Sequence, residues 1–404
     1  MKLLFLTDNF PPEVNAPATR TYEHCKEWVK KGVEVTVITC APNFPKGKVF
    51  DGYKNKLYQK EIVDGIKVVR VWSYMSANKG AVKRILDYMS FMISAFIVGL
   101  FIRTDIIVAT SPQFFTAIAG RWLSFWKQTP WIMEVRDIWP ESIKAVGAMK
   151  EGLVIRFFEY LEKRMYKSAQ KIVVVTDSFK DQLIKNHKVN SSKIAVIKNG
   201  INLDLFTPQA KNKKLLNELS LNNKFVIGYI GTHGMAHALD FIFKSTQKIT
   251  DSRIHFLFVG GGAMKNELEQ LKSDLNLRNI TMVNQVSKNE IKEYISIIDA
   301  GLVNLKKSDT FKAVIPSKIF ELAGMHKPIL LGVEGEAKKL VVDYKIGLVF
   351  EPENEQDFLT KVNEIASKEN DFTNGYDQIK IDFNRKVLAL KMLDFIKTKK
   401  DLNS

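Results

Sequence analysis

Three short stretches in the second half of the chain carry residue types suited to holding a phosphorylated ligand. Gly231-Thr232-His233-Gly234 follows an apolar run and opens a helical pattern, where free backbone N–H groups and the helix dipole favour an anion; a plain tight turn is the alternative. Gly260-Gly261-Gly262 follows the next apolar run, and three glycines admit close approach of a ligand or of another backbone, with strand-end punctuation as the plainer reading. Further on, Val314-Ile315-Pro316-Ser317-Lys318 leads into a helix with Pro316 near its first turn, so Ser317 and Lys318 stand where an anion would be held. Glu321, one turn later, shares their face, and its carboxylate can accept two hydrogen bonds from a vicinal diol such as ribose.

In the first half, Glu134-Val-Arg-Asp-Ile-Trp-Pro-Glu-Ser142 closes an apolar run and presents Arg136, Asp137 and Glu141 at its end. Asp137 there is a candidate positioning group or weak base, or else a cap on the turn that follows. The first turn of the chain, DNFPPEVNAPATR, holds no glycine, which argues against a nicotinamide-binding fingerprint, and no Walker A sequence is present to suggest an ATPase. Cys25 and Cys40 stand apart from any histidine at ligand spacing, so they read as reduced packing residues rather than metal ligands or a disulfide.

The elements that must position these residues alternate throughout. β-branched runs at 3–8, 33–40, 67–72, 105–110, 131–137, 171–176 and 193–199 are separated by amphipathic segments, which predicts parallel sheet covered by helices, an α/β fold. Tyr22, Cys25 and Val29 mark the first helix by their spacing, and Gly32 stops it. Residues 41–60 show no period and read as a long loop. The alternation pauses in the Lys/Asn-rich stretch 199–223 and restarts at 225–231, 254–260, 280–286, 300–306, 328–333 and 346–351. Two successive doubly wound domains are therefore expected, 1–200 and 201–375, with a ligand in the cleft between them. A final helix, 376 to about 397 within a segment 376–404, has no strand after it and is expected to cross back to brace the first domain.

With 404 residues, 46% hydrophobic and 26% charged, the chain has the balance of a folded protein rather than a disordered one. Its net charge of +16 asks for an anionic partner, but no module or aromatic stacking platform accompanies the lysines, so nucleic acid is not expected. Residues Leu3 to Leu6 are too short an apolar run for a signal peptide and read as a first strand. The apolar stretch 88–102 falls short of the roughly 20 residues that cross a bilayer. A buried or monotopic helix is expected instead.

The segment PSKIFELAGMHKPIL resembles the second half of the Glu-x7-Glu signature of retaining glycosyltransferases of family 4, with Glu321 in the place of the second glutamate. NGINLDLFTP, GYIGTHGMAHALD, FVGGG and IGLVFEPEN resemble further segments of that family in the same order. The resemblance implies a GT-B fold of two Rossmann-like domains facing a central cleft, the first binding an acceptor and the second a nucleotide sugar. It implies no metal and no cofactor beyond the donor substrate, and no Asp-x-Asp pair is present to suggest otherwise. It further implies that Glu321 holds the ribose, that Gly231, Thr232, His233 and Gly234 with Ser317 and Lys318 hold the diphosphate, that Gly260 lies near the base, and that Asn15 and Ala16 approach the diphosphate in a closed form. Two departures stand out. Ala313 occupies the place of the first glutamate, and Thr232 and His237 stand where an Arg and a Lys usually grip the diphosphate. Lys318 and Lys312 are the candidates to replace that charge.

EVRDIWPES resembles the branch of the family that adds amino-deoxy sugars such as N-acetyl-L-fucosamine during O-antigen or capsule assembly, with Arg136 replacing a usual histidine before Asp137. That branch implies a UDP-sugar donor and a polyprenyl diphosphate-linked saccharide acceptor, hence a cytoplasmic protein peripheral to the inner face of the cytoplasmic membrane. Lys83, Arg84 and Arg103 flank the apolar stretch, and Arg156, Lys163, Arg164 and Lys167 crowd another helix, a composition suited to anionic lipid. The rival readings are a UDP-sugar 2-epimerase of the same fold, which needs no acceptor, and a non-catalytic sugar-nucleotide-binding scaffold.

Overall fold

In the computed structural model all residues are described except 45–46, 76–80, 112, 140–151, 368–371, 373 and 399–404. The chain divides into two compact units, Met1–Lys198 together with the residues from Arg385 onward, and Asn199–Asn384.

The first unit contains β1 (Lys2–Leu6), α1 (Ala16–Lys30), β2 (Glu34–Cys40), β3 (Tyr58–Val63), β4 (Ile66–Val71), α2 (Ala81–Leu100), β5 (Ile106–Thr110), α3 (Phe114–Lys127), β6 (Trp131–Val135), α4 (Leu153–Ser168), β7 (Lys171–Val174), α5 (Asp177–His187) and β8 (Ile194–Val196). The described strands form one sheet in the order β3-β4-β2-β1-β5-β6-β7-β8. Every residue of β5 and β6 is buried, because helices cover both faces; their apolar runs are therefore continuous rather than alternating.

One strand departs from the parallel sheet expected. β3 pairs antiparallel with β4 at the sheet edge; its polar sequence YQKEIV, none of it buried, begins at Tyr58 inside the aperiodic segment 41–60 and runs past its end. The hairpin turn is Asp64-Gly65, both with positive φ (48° and 81°), the dipeptide that such two-residue turns favour.

The second unit contains α6 (Lys213–Glu218), β9 (Phe225–Ile230), α7 (Leu239–Thr246), β10 (Ile254–Val259), α8 (Lys265–Asp274), β11 (Ile280–Val283), α9 (Lys288–Ile297), β12 (Ala300–Asn304), α10 (Asp309–Lys312), α11 (Lys318–Gly324), β13 (Ile329–Gly332), α12 (Glu336–Asp343), β14 (Gly347–Val349), α13 (Glu355–Ser367) and α14 (Asn374–Asp382). Its described strands run parallel in the order β11-β10-β9-β12-β13-β14. Apolar clusters fill both faces, one around Val303, Ile319 and Leu331 and the other around Tyr229, Phe256 and Phe358.

The last helix expected is two. After α14 the chain leaves helical geometry at Phe383-Asn384, where the Phe383 carbonyl accepts from Ile201 N at 2.7 Å and Asn384 bridges Ile201 in parallel. α15 (Arg385–Lys397) then packs on α1 in the first unit. Trp28 Nε1 donates to the Ala389 carbonyl at 2.8 Å, Arg385 pairs with Glu23 at 2.5 Å, and Leu388 and Met392 share the core with Cys25 and Trp28. Both cysteines are free and buried.

Each sheet reverses its winding beside its first strand. β1 lies between β2 and β5, and β9 between β10 and β12, so the loops after these strands border the crevices where ligands of such folds bind.

Candidate functional site

In the second unit the loop after β9 and the loop after β10 are pressed backbone to backbone. Gly231 N donates to the Val259 carbonyl at 2.9 Å, His233 N to the Gly261 carbonyl at 2.8 Å, and Met264 N to the His233 carbonyl at 2.9 Å. Gly260 has φ +150°, and a Cβ there would stand 1.9 Å from the Gly231 carbonyl oxygen. A Cβ on Gly262 would stand 2.5 Å from the His233 oxygen. The close approach foreseen for the glycine run is thus, at Gly260 and Gly262, that of another backbone. Only Gly261 has room, with nothing nearer than the Gln285 side chain at 3.9 Å.

The loop does not open an α-helix directly. Gly234 starts a single 3-10 turn, Met235–His237, and Ala238 takes a left-handed conformation (φ 43°) before α7 begins. Asn304, buried at the end of β12, holds that turn by donating to the His237 carbonyl at 2.9 Å. The polar residues of the loop carry no charge. His233 is fully buried, neither of its ring nitrogens has a hydrogen-bond partner, and burial with the nearby Lys265 and Lys318 ammoniums pushes it down to about 4. Burial beside Lys318 pushes His237 down to about 3. Thr232 is exposed.

Positive charge comes instead from α11. The stem of Lys318 lies so close over Gly231 that a Cβ there would be 2.4 Å from its Cε and 2.9 Å from its Nζ. The ammonium sits 3.5 Å from the centroid of the Tyr229 ring, a cation–π contact. Burial draws its pKa down to about 7, against the pull of Glu321, and no carboxylate is in ion-pair contact with it among the described residues. Pro316 and Ser317 precede it, Ser317 as the N-cap of α11. Glu321, half-buried, follows one turn on.

Lys312 does not join them. Its ammonium is held by Asp309 at 2.8 Å and lies 3.6 Å from Glu334, so its charge is already matched by carboxylates. A lysine the sequence reading passed over, Lys265, opens α8 directly after the glycine run; its Nζ reaches the Asn284 side chain and the Gly260 carbonyl. The signal available was a lysine within a turn of three glycines.

In the first unit, the edge formed by the ends of β1 and β6 gathers polar groups. Asn15 caps α1, accepting from Ala18 N at 2.9 Å and donating to Asn9 Oδ1 at 2.6 Å. Its side chain is thereby engaged in the fold, and exposed Ala16 begins the helix. Arg136 donates its backbone N–H to Ser111 Oγ at 3.0 Å and a guanidinium N–H to the Pro17 carbonyl at 3.5 Å. Burial pushes it down to about 10, with Glu134 opposing, so it remains a cation at neutral pH. Asp137 is the next residue, half-buried; Glu141 lies outside the described residues.

Two carboxyls the sequence reading missed stand at the same edge. Burial raises the Asp8 carboxyl. Glu13, 3% exposed, accepts from the backbone N–H groups of Asn43 and Phe44 at 2.8 Å each, and burial pushes it up to about 7 with Asp8 adding to the effect. Beneath them Arg20 bonds Glu134 at 2.8 Å and the carbonyls of Ile197 and Lys198. Burial works to raise Glu134, yet Arg20 and Arg136 together hold it below the usual carboxylate range.

The family model for glycosyltransferase family 4 matches residues 17–205, and that for glycosyl transferases group 1 matches residues 211–378. Together they take in nearly the whole chain, and this protein belongs to the family 4 glycosyltransferases, with the GT-B fold. Among its relatives, the Escherichia coli (strain K12) protein named "Putative colanic acid biosynthesis glycosyl transferase WcaI" is 25% identical over 79% of this chain and 80% of its own length. The O-antigen chain mannosyltransferase RfbU of Salmonella typhimurium is 28% identical over 34% of this chain and 36% of its own. Among solved structures, Anabaena Alr3699/HepE in complex with UDP and glucose superposes with a TM-score of 0.75 at 14% identity, covering 99% of this chain and 100% of that one.

Proposed function

We propose that this glycosyltransferase moves an N-acetylated deoxyhexose of the N-acetyl-L-fucosamine kind from a UDP-sugar to a polyprenyl diphosphate-linked saccharide, with retention and without a metal. The work is done at the inner face of the cytoplasmic membrane, in assembly of a surface polysaccharide such as O-antigen or capsule. The observation that carries the donor reading is the Lys318 ammonium, desolvated and without a carboxylate in ion-pair contact, lodged against Gly231 beside the crevice of the second sheet. A diphosphate is the anion such a cation matches. Glu321, one helical turn on, is the partner for ribose hydroxyls. Structural neighbours support the donor class, since HepE is seen with UDP and with UDP-glucose; the colanic acid and O-antigen relatives support the polysaccharide context.

Retaining transfer asks the protein to neutralise the departing diphosphate while the acceptor hydroxyl attacks from the same side. Lys318 supplies that charge to the leaving group from the unit that binds the donor. Asp137 positions the acceptor hydroxyl.

The test is incubation with a panel of UDP-sugars and a polyprenyl diphosphate-linked N-acetylhexosamine, with EDTA present, following UDP release and lipid product by mass. Transfer from one donor is expected. Glu321→Ala is expected to cripple donor use, and Asp137→Ala to leave donor binding intact while slowing transfer. Full activity in both variants would refute the assignment of the site, and sugar-nucleotide turnover without an acceptor would favour an epimerase.

A further inference from the structure

No helix among the described residues is long and apolar enough to cross a membrane, yet α2, α3 and α4 leave large apolar side chains in solvent. Phe101 at the end of α2 is 84% exposed, Phe125 and Trp126 on α3 are 68% and 69% exposed, and Leu153 and Phe157 on α4 are also exposed. These helices form one surface. The Phe96 ring of α2 meets Trp122 of α3 edge-on at 5.7 Å, Lys127 of α3 donates to the Leu100 carbonyl at 2.9 Å, and Phe114 and Phe115 of α3 pack edge-on against Phe158 of α4. An apolar face of this kind is normally covered by something.

What covers it is indicated by charge. α3 contains Arg121 and Lys127 and no acidic residue. Arg121 is half-buried and lies near Arg164 and Tyr160 of α4, with its basicity reduced by burial and then by Arg164. Arg164 donates to Tyr160 Oη at 2.5 Å and lies over that ring. No carboxylate pairs with either guanidinium among the described residues, so two like charges stand together amid exposed aromatic groups. An anion between them would relieve the repulsion. Aromatic and aliphatic side chains interleaved with arginines are the chemistry of a headgroup and acyl boundary.

We propose that α2, α3 and α4 dock the protein on a leaflet of anionic phospholipid, with Arg121 and Arg164 gripping a lipid phosphate and Phe101, Phe125 and Trp126 entering the acyl boundary. This deepens, and rests on, the peripheral-membrane part of the function proposed above. The test uses the full chain, without donor or acceptor, in cosedimentation with vesicles of phosphatidylcholine alone or mixed with phosphatidylglycerol. The expected result is binding to the mixed vesicles, with Arg121→Gln/Arg164→Gln about tenfold weaker and Phe125→Ser/Trp126→Ser weaker still, each variant melting as the parent does. Wild-type protein that ignores mixed vesicles, or variants that bind them equally well, would overturn the proposal. So would concentration-dependent dimerisation abolished by Phe125→Ser/Trp126→Ser, which would mean that a second copy covers the face. Transfer to a short-chain, water-soluble acceptor is measured separately: its failure in the parent would sink the transferase reading while leaving the vesicle result standing, and its survival in vesicle-defective variants is expected.

Discussion

Replacing Gly260 by alanine isolates the close approach of the two strand-end loops in the second unit. The new Cβ would lie 1.9 Å from the Gly231 carbonyl oxygen, whereas carbon and oxygen in contact rest at about 3.3 Å, so the loops must part by roughly 1.4 Å. Overpacking of this sort costs about 1–3 kcal/mol. The φ of +150° at Gly260 is a conformation that an L-residue holds only at a further cost of about 1–3 kcal/mol. Together these give about 2–6 kcal/mol, which for a unit of this size lowers the melting temperature by roughly 5–20 °C. Because Gly231 carries the Lys318 stem, UDP affinity should fall as well. The control is the adjacent residue: a Cβ on Gly261 would meet only the Gln285 side chain at 3.9 Å, so Gly261→Ala should melt close to the parent. Thermal denaturation followed by circular dichroism, with UDP titration by calorimetry, reads both effects. If Gly260→Ala melted and bound UDP as Gly261→Ala does, the backbone contact would not be what the glycine is for.

Two further perturbations test the electrostatics. Lys318, drawn down to about 7, loses its proton in the free protein as pH rises through neutrality, so UDP affinity should fall between pH 7 and pH 9; Lys318→Met should abolish that slope and weaken binding at pH 6 by about 1.5–3 kcal/mol, and a variant that kept the parent's slope in calorimetry would remove the ammonium from the donor site. Glu13, pushed by burial from the ordinary 4.5 up to about 7, binds its proton more tightly in the folded state, so it contributes stability at low pH that is lost as pH rises from 4.5 through 7. Glu13→Gln keeps an acceptor for Asn43 and Phe44 without that titration. The parent's melting temperature should therefore drop relative to the variant's between pH 5 and pH 8, and parallel curves would contradict the placement of the proton.

The sequence alone determined the α/β class, the order of the strands apart from β3 and the family motifs, because continuous apolar runs and helical spacing are local consequences of strands buried on both faces and helices buried on one. β3 escaped because an edge strand exposed to water has no apolar pattern to show; its only local signal was Asp64-Gly65. Which groups would meet was decided by the tertiary structure. Lys318 and Gly231 are far apart in the chain and touch because β9 and β12 are neighbours in the sheet. Lys312, a residue of the same type only six positions from Lys318, is turned to Asp309 and Glu334. The neutrality of His233 and His237, the capping role of Asn15 and the exposure of Phe125 and Trp126 likewise follow from what surrounds each side chain. Residue type states what a group can do, and only the packing around it sets the solvent, charge and geometry in which it does it.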